Sequence, residues 1–232
     1  MKALQATDAP AAVDTVTAFF QRGVDALGEG TRELAADVAS ARAEGPLTRA
    51  KLDAIVLPYA QALFDRAGVT VYGAGFIAAI GLLNDASGHL SWWQGPRHSK
   101  LELAAQNIGK EHIDYSELEW YRVPVSTGKP HIAGPHVDYL CSDEYTITVA
   151  YPVFVGGEFI GVHGMDVLLD AVEGELLPLL SGETEEITVI NAVGRVLVST
   201  NPHRATGDPV RDAGDTLTRY ECEGLPLAVL VS

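Results

Sequence analysis

Residues 145–167 read YTITVAYPVFV, then Gly156-Gly157, then EFIGVHGMDV: two alternating runs rich in β-branched and aromatic residues, joined by a pair of glycines. A period of two is the signature of half-buried strands, and adjacent glycines supply the positive φ values that a two-residue hairpin turn requires. A long hairpin is not stable alone in water, so the chain must provide further strands and a helical cover.

Upstream, Val13, Val16, Phe20, Val24, Leu27, Leu34 and Val38 step by three or four and trace one stripe of a long helix, missing only the beat at Thr31. Gly28 and Gly30 weaken its middle. Pro46 ends it, Thr48 is an N-cap, and Leu52, Ile55, Val56, Tyr59 and Leu63 describe a second helix that Pro58 is expected to kink. From Val69 the period changes. VTVYGAGFIAA and GHLSWWQG read as strands separated by the turn-forming LNDAS. A helix is expected over Ser116–Val125, capped by Ser116 and stopped by TGKP. After the hairpin, VLLDAVEGELLPLL reads as helix, SGETEE as a boundary, EITVINAVGRVLVST as a hairpin turned at Asn191–Gly194, and LPLAVLVS as a closing strand.

The expected fold is therefore α+β: a long N-terminal helix followed by two antiparallel-sheet modules, the second smaller. The boundaries are 1–66 for the helical region, 67–182 for the larger module and 183–232 for the smaller one.

At 232 residues and 47% hydrophobic content, the chain has enough apolar side chains for a proper core. Its 31 acidic residues against 16 basic give a net charge of −15, which repels nucleic-acid phosphates and anionic membrane surfaces and favours the approach of cations. Cys141 and Cys222 form neither a CxxC pair nor a disulfide framework. The N-terminus lacks an apolar core segment, and the longest apolar run, Phe76–Leu83, is far too short to span a bilayer, so a soluble, cytoplasmic protein is expected.

Residues 118–166 concentrate the interesting chemistry. Trp120 and Tyr121 are adjacent aromatics, and Asp138 and Asp166 are two well-separated acids. Aromatic faces and carboxylates held over a sheet form a cage for a small organic cation. Competing readings make Trp120 and Tyr121 core anchors and Asp166 the N-cap of the helix beginning near Val167. Trp92 and Trp93 are neighbours on one strand, so they point to opposite faces and only one can line a pocket.

No nucleophile and base stand together: GxSxG is absent, and VYGAGFIAA lacks the third glycine and the lysine of a nucleotide loop. The enzyme-compatible alternative is a metal-dependent hydrolase using His131, His136 and Asp138, with Cys141, Asp143, Glu144 and His163 as further candidate ligands. Neighbours on an extended chain alternate faces, so that run brings about two ligands together where three or four are needed. No catalytic residue, cofactor or metal is expected.

The segments EWYRVPVSTGKPHIAGPHVDY, GVHGMDV and ITVINAVGRVLVSTNP, in this order and spacing, resemble the double Cache family, the PAS-like sensor domains of bacterial chemoreceptors and sensor kinases. The resemblance spans nearly the whole chain and implies two PAS-like modules, the larger one binding ligand. In the amino-acid- and amine-sensing branch, ligands are held by a Trp-Tyr pair, a Tyr-x-Asp element and an aspartate ending the next hairpin; here these fall on Trp120, Tyr121, Asp138 and Asp166. His136 stands where the tyrosine would be, and Leu118 where amino-acid sensors place an arginine for the ligand carboxylate. The resemblance thus implies an amine ligand, quaternary or polyamine included, enclosed by Tyr115, Trp120, Tyr121, His136, Asp138 and Asp166, with Trp93 as a further wall. Arg122 as a displaced carboxylate anchor keeps an amino-acid ligand open. Family members are flanked by membrane helices and signalling modules that are not seen here: if the chain is complete, the expected output runs through an unknown downstream signalling protein or a homodimer built on the long helix, and if it is a fragment, the effector lies outside it. A structural adaptor dimerising through that helix is the third class.

Overall fold

The computed structural model describes residues 11–101, 115–137, 144–182, 185–210 and 217–232. The elements are α1 (Ala11–Glu44), α2 (Arg49–Arg66), β1 (Val71–Ala78), β2 (Leu90–Gln94), β3 (Ser99–Lys100), α3 (Glu119–Thr127), β4 (His131–Val137), β5 (Tyr145–Val155), β6 (Glu158–Leu168), α4 (Leu169–Leu180), β7 (Ile187–Asn191), β8 (Val196–Ser199), β9 (Thr218–Glu221) and β10 (Leu227–Val231). They build a six-stranded sheet in the order β3-β2-β1-β6-β5-β4 and a four-stranded sheet in the order β8-β7-β10-β9. Every pairing is antiparallel.

The β5–β6 hairpin runs from Thr146 opposite Leu168 to Val155 opposite Glu158. Its turn has φ values of 58° and 86° at Gly156 and Gly157, as the glycine pair predicts. Three local expectations are corrected. Helix α3 starts at Glu119 behind Leu118, with no side-chain cap, so Ser116 is not its N-cap. Pro58 does not interrupt α2, because the burial of Leu52, Val56, Ala60 and Leu63 along one stripe outweighs one lost backbone hydrogen bond. Asp166 lies within β6, three residues before α4, and caps no helix. The strands β3 and β9 carry no alternation signal because they are short, mostly exposed sheet edges.

Helices α1 and α2 cover one face of the large sheet. Val16, Phe20, Val24 and Leu27 of α1 and Leu52, Val56 and Leu63 of α2 pack in one cluster with Ala74, Phe76, Ile132, Val149 and Met165. At 1.5 Å per residue α1 is about 51 Å long, and it contacts β5 and β6 of the large sheet as well as β10 of the small one. The Thr31 beat is filled by polar chemistry: its Oγ1 donates to Leu27 O at 2.7 Å and lies 2.9 Å from His163 Nδ1. Burial pushes the His163 imidazole down to about 3, so it stays neutral against α1. The helix glycines sit at close approaches. A Cβ on Gly28 would come within 3.1 Å of the Tyr151 ring, and one on Gly30 within 3.4 Å of His163 Cε1.

A second tie joins α2 to β2 and β3. Asp53 Oδ1 lies 2.8 Å from His89 Nε2 and accepts from Ser91 Oγ at 2.8 Å, while Oδ2 pairs with Lys100 Nζ. Burial works to raise this carboxyl, but the hydrogen bonds from His89, Lys100 and Ser91 and the charge of His89 outweigh it and hold it at about 2.

Two predictions follow from these contacts. Gly30→Ala adds a methyl at ordinary van der Waals distance and removes glycine's helix penalty, so its urea midpoint should rise by the equivalent of about 0.5–1 kcal/mol. Gly28→Ala, crowded by Tyr151, should show no such gain. Because the folded pKa of Asp53 lies below the ordinary 3.8, its network contributes fully above about pH 4 and is lost as pH falls toward 2. The stability gap between the native chain and Asp53→Asn, followed by urea denaturation, should therefore narrow across that interval.

Candidate functional site

The opposite face of the large sheet is built differently. Directly paired residues share a face, so two cross-strand rows can be read off the register. One row is Trp92, Gly75, Gly164, Ala150 and His131; the next is Gln94, Gly73, Asp166, Thr148 and Ala133. The small residues leave the sheet bare at its centre, and the Trp92 indole lies over that floor. A Cβ on Gly73 would meet Trp92 Nε1 at 2.7 Å, and one on Gly164 would reach the same ring at 3.8 Å.

Helix α3 closes this face from above. Trp120 and Tyr121 are perpendicular, with ring centroids 6.1 Å apart, and Tyr115 stacks on Trp120 at 6.3 Å. Tyr121 also meets Phe159 edge-on at 5.6 Å, and Tyr115 is anchored by donating to Ala78 O at 2.5 Å. Between aromatic lid and glycine floor is a small cleft lined by Ile77, Leu90, Trp92, Trp120, His136, Thr148 and Asp166. Sites for small ligands are mostly apolar with a few placed polar groups, and this lining has that character.

Of the expected site residues, the structure brings Trp120, His136 and Asp166 to this one cleft although they are far apart in sequence. Asp166 is only 6% exposed, and Thr148 Oγ1 donates to its Oδ1 at 2.6 Å. Two expectations change. Trp93 does not line the cleft: it pairs with Ala74 on the helix-facing side and belongs to the core under α1 and α2, so Trp92 takes the pocket position. Tyr115 and Tyr121 stand behind Trp120 and fix its ring; neither is in the cleft lining, because both are packed in the aromatic cluster under α3. Asp138, like Cys141 and Asp143, lies outside the described residues. Arg122 is exposed on α3, away from the lining, and Leu118 is 37% exposed. Among the described residues no group of three metal-ligating side chains comes together; His131 Nε2 is engaged with Glu119 Oε1 at 2.9 Å.

Glu119 was not singled out from sequence, yet it is the neighbour of Trp120 and the crossing point between the two sheets. Its carboxylate also accepts from Asn191 Nδ2 at 3.1 Å and pairs with Arg195 Nε at 3.5 Å, both on the β7–β8 hairpin. Burial favours the neutral acid, but the His131 hydrogen bond and charge, the Arg195 charge and the Gly134 N–H hold Glu119 below the usual carboxylate range. Asn191 is fully buried. Its Oδ1 accepts from the backbone N–H groups of Val193 and Arg195 at 3.1 and 2.9 Å, and its Nδ2 also donates to Gly134 O at 3.3 Å. The sequence marked Asn191 as a turn residue; its hold on Glu119 appears only in three dimensions. Asn191→Ala should lower the unfolding free energy by about 2–4 kcal/mol, since several buried groups lose their partners at once, and a fall in the urea midpoint with an unchanged slope would register it.

Residues 95–173, about a third of the chain, match the family model described as the methyl-accepting chemotaxis protein-like first PDC sensor domain. No curated protein matches in sequence. Among solved structures the chain is similar to "Methyl-accepting Chemotaxis protein X" (16% identity, 95% of each chain covered, TM-score 0.59). It is similar also to the periplasmic sensory domain of the Campylobacter jejuni chemoreceptor Tlp1 (13% identity, 95% of this chain and 90% of that one, TM-score 0.64). A third is the ligand-binding domain of the Pseudomonas fluorescens chemoreceptor CtaA in complex with L-isoleucine (16% identity, 95% and 87% covered, TM-score 0.59). The two-sheet α+β fold is the one these chemoreceptor sensor domains have, and the stretch that matches the family model carries the α3 lid and the β5–β6 hairpin.

Proposed function

We propose that the cleft between α3 and the large sheet recognises a small organic cation, an amine, and that its occupancy is relayed to a downstream signalling partner or across a dimer through α1. The observation that carries this reading is the pairing of a nearly buried acid, Asp166, with the indoles of Trp92 and Trp120 in one lining that includes no lysine or arginine among the described residues. A carboxylate in an apolar wall favours a positively charged guest, and each aromatic face adds roughly 0.5–2 kcal/mol for a well-placed cation. No bond is made or broken in this role.

CtaA is described in complex with L-isoleucine, so an α-amino acid is the competing ligand class. An α-carboxylate calls for a forked donor. Leu118 stands at the position where the resemblance implies that fork, and the Arg122 side chain faces solvent. Both facts favour an amine without the acid group.

A thermal-shift screen of amines against amino acids tests the proposal, because a ligand at a thousand times its dissociation constant adds about 4 kcal/mol to stability. Amines are expected to raise the melting temperature, and Asp166→Asn to abolish that rise while the variant stays folded, since Thr148 can still donate to the amide oxygen. Stabilisation by amino acids but not by amines would overturn the ligand class.

A further inference from the structure

Trp92 is only 3% exposed, and its Nε1–H is a buried donor without a hydrogen-bond partner among the described residues. An unmet buried donor costs about 1–3 kcal/mol, and phenylalanine would fill the same wall without that cost. The chain also makes room for this N–H. Residue 73 is glycine, and a Cβ there would come within 2.7 Å of Nε1. Gly73 is the direct cross-strand partner of Asp166. The indole N–H therefore lies beside the strand position that faces Asp166, and both side chains line the same cleft, where one small molecule can touch both.

We propose that Trp92 is a specificity-determining residue of the cleft: its indole N–H donates to an oxygen that the ligand carries a few bonds from its cationic nitrogen. The inference rests on the amine reading of the site and sharpens it. The ligand class becomes oxygen-bearing amines, of which an amino alcohol is the simplest. Trp92 offers one neutral donor, which suits a single hydroxyl, ether or carbonyl oxygen. Its ring closes the wall while its N–H selects among guests of equal size, a division of labour an aliphatic side chain cannot perform.

Ethanolamine and n-propylamine have the same number of heavy atoms and differ only in an oxygen replaced by carbon, so they isolate the contact. Isothermal titration of the native chain should give ethanolamine about a three- to tenfold lower Kd, the worth of one net hydrogen bond. Trp92→Phe should bring the two amines to the same Kd, whatever the weaker cation–π contact of a phenyl ring costs both of them alike. Gly73→Ala, whose methyl group displaces the N–H, should remove the preference by a second route. The native chain holds three tryptophans, and a ¹⁵N-indole spectrum should show one N–H resonance moving on addition of ethanolamine and not of propylamine, which needs no variant to fold. Equal affinities in the native chain, a preference that survives in Trp92→Phe, or a motionless indole spectrum at saturating ethanolamine would overturn this inference alone. Failure of both amines to bind would overturn the amine reading beneath it.

Discussion

One sheet with two differently buried faces is the constraint on which this structure depends. An antiparallel sheet can leave one face to water; here both faces are buried, and the chain covers them by unlike means. Helices α1 and α2 lay a continuous aliphatic stripe on one face, aided by glycines that bring α1 against Tyr151 and His163. On the other face glycines and alanines strip the sheet centre, and the aromatic cluster around α3 roofs it without filling it. Dense packing stabilises the first face. The space left on the second is the cleft lined by Trp92, Trp120 and Asp166.

The two faces are coupled through shared strands. Strand β6 sends His163 toward α1 and, three residues later, Asp166 into the cleft, so the helix side and the cleft side hang on one rigid element. The floor and the lid have separate anchors. Trp92 rests on the glycines of β1 and β6, while Trp120 follows Glu119, which His131, Asn191 and Arg195 tie to the small sheet. The lid is therefore tied to the β7–β8 hairpin, whereas the floor belongs to the large sheet itself.

The order of elements was legible because their periods are strong. The α1 stripe, the switch to alternation after Val69, the Gly156-Gly157 turn and the Asn191–Gly194 turn each follow from local physics. Trp120 and Asp166 stood out in the sequence as an aromatic and an acid within 118–166, and His136 through the family resemblance; the structure lines one cleft with all three. Trp93 in place of Trp92 shows where such reading stops: alternation states that neighbours face opposite ways, but only strand pairing with β1 decides which face receives the helices. Tyr115 and Tyr121 were recognisable as an aromatic group with Trp120, yet their place behind its ring depends on how α3 seats on the sheet.

By itself the sequence determined what each segment must become and which side chains carry aromatic or acidic chemistry, since backbone preferences, hydrophobic period and residue chemistry are local properties. Tertiary structure alone decided which of those side chains share a cleft, that the indole N–H of Trp92 sits over Gly73 opposite Asp166, and that Glu119 joins the lid to the second sheet. Those are statements about register and packing between strands tens of residues apart, and no local propensity encodes a distance between such partners.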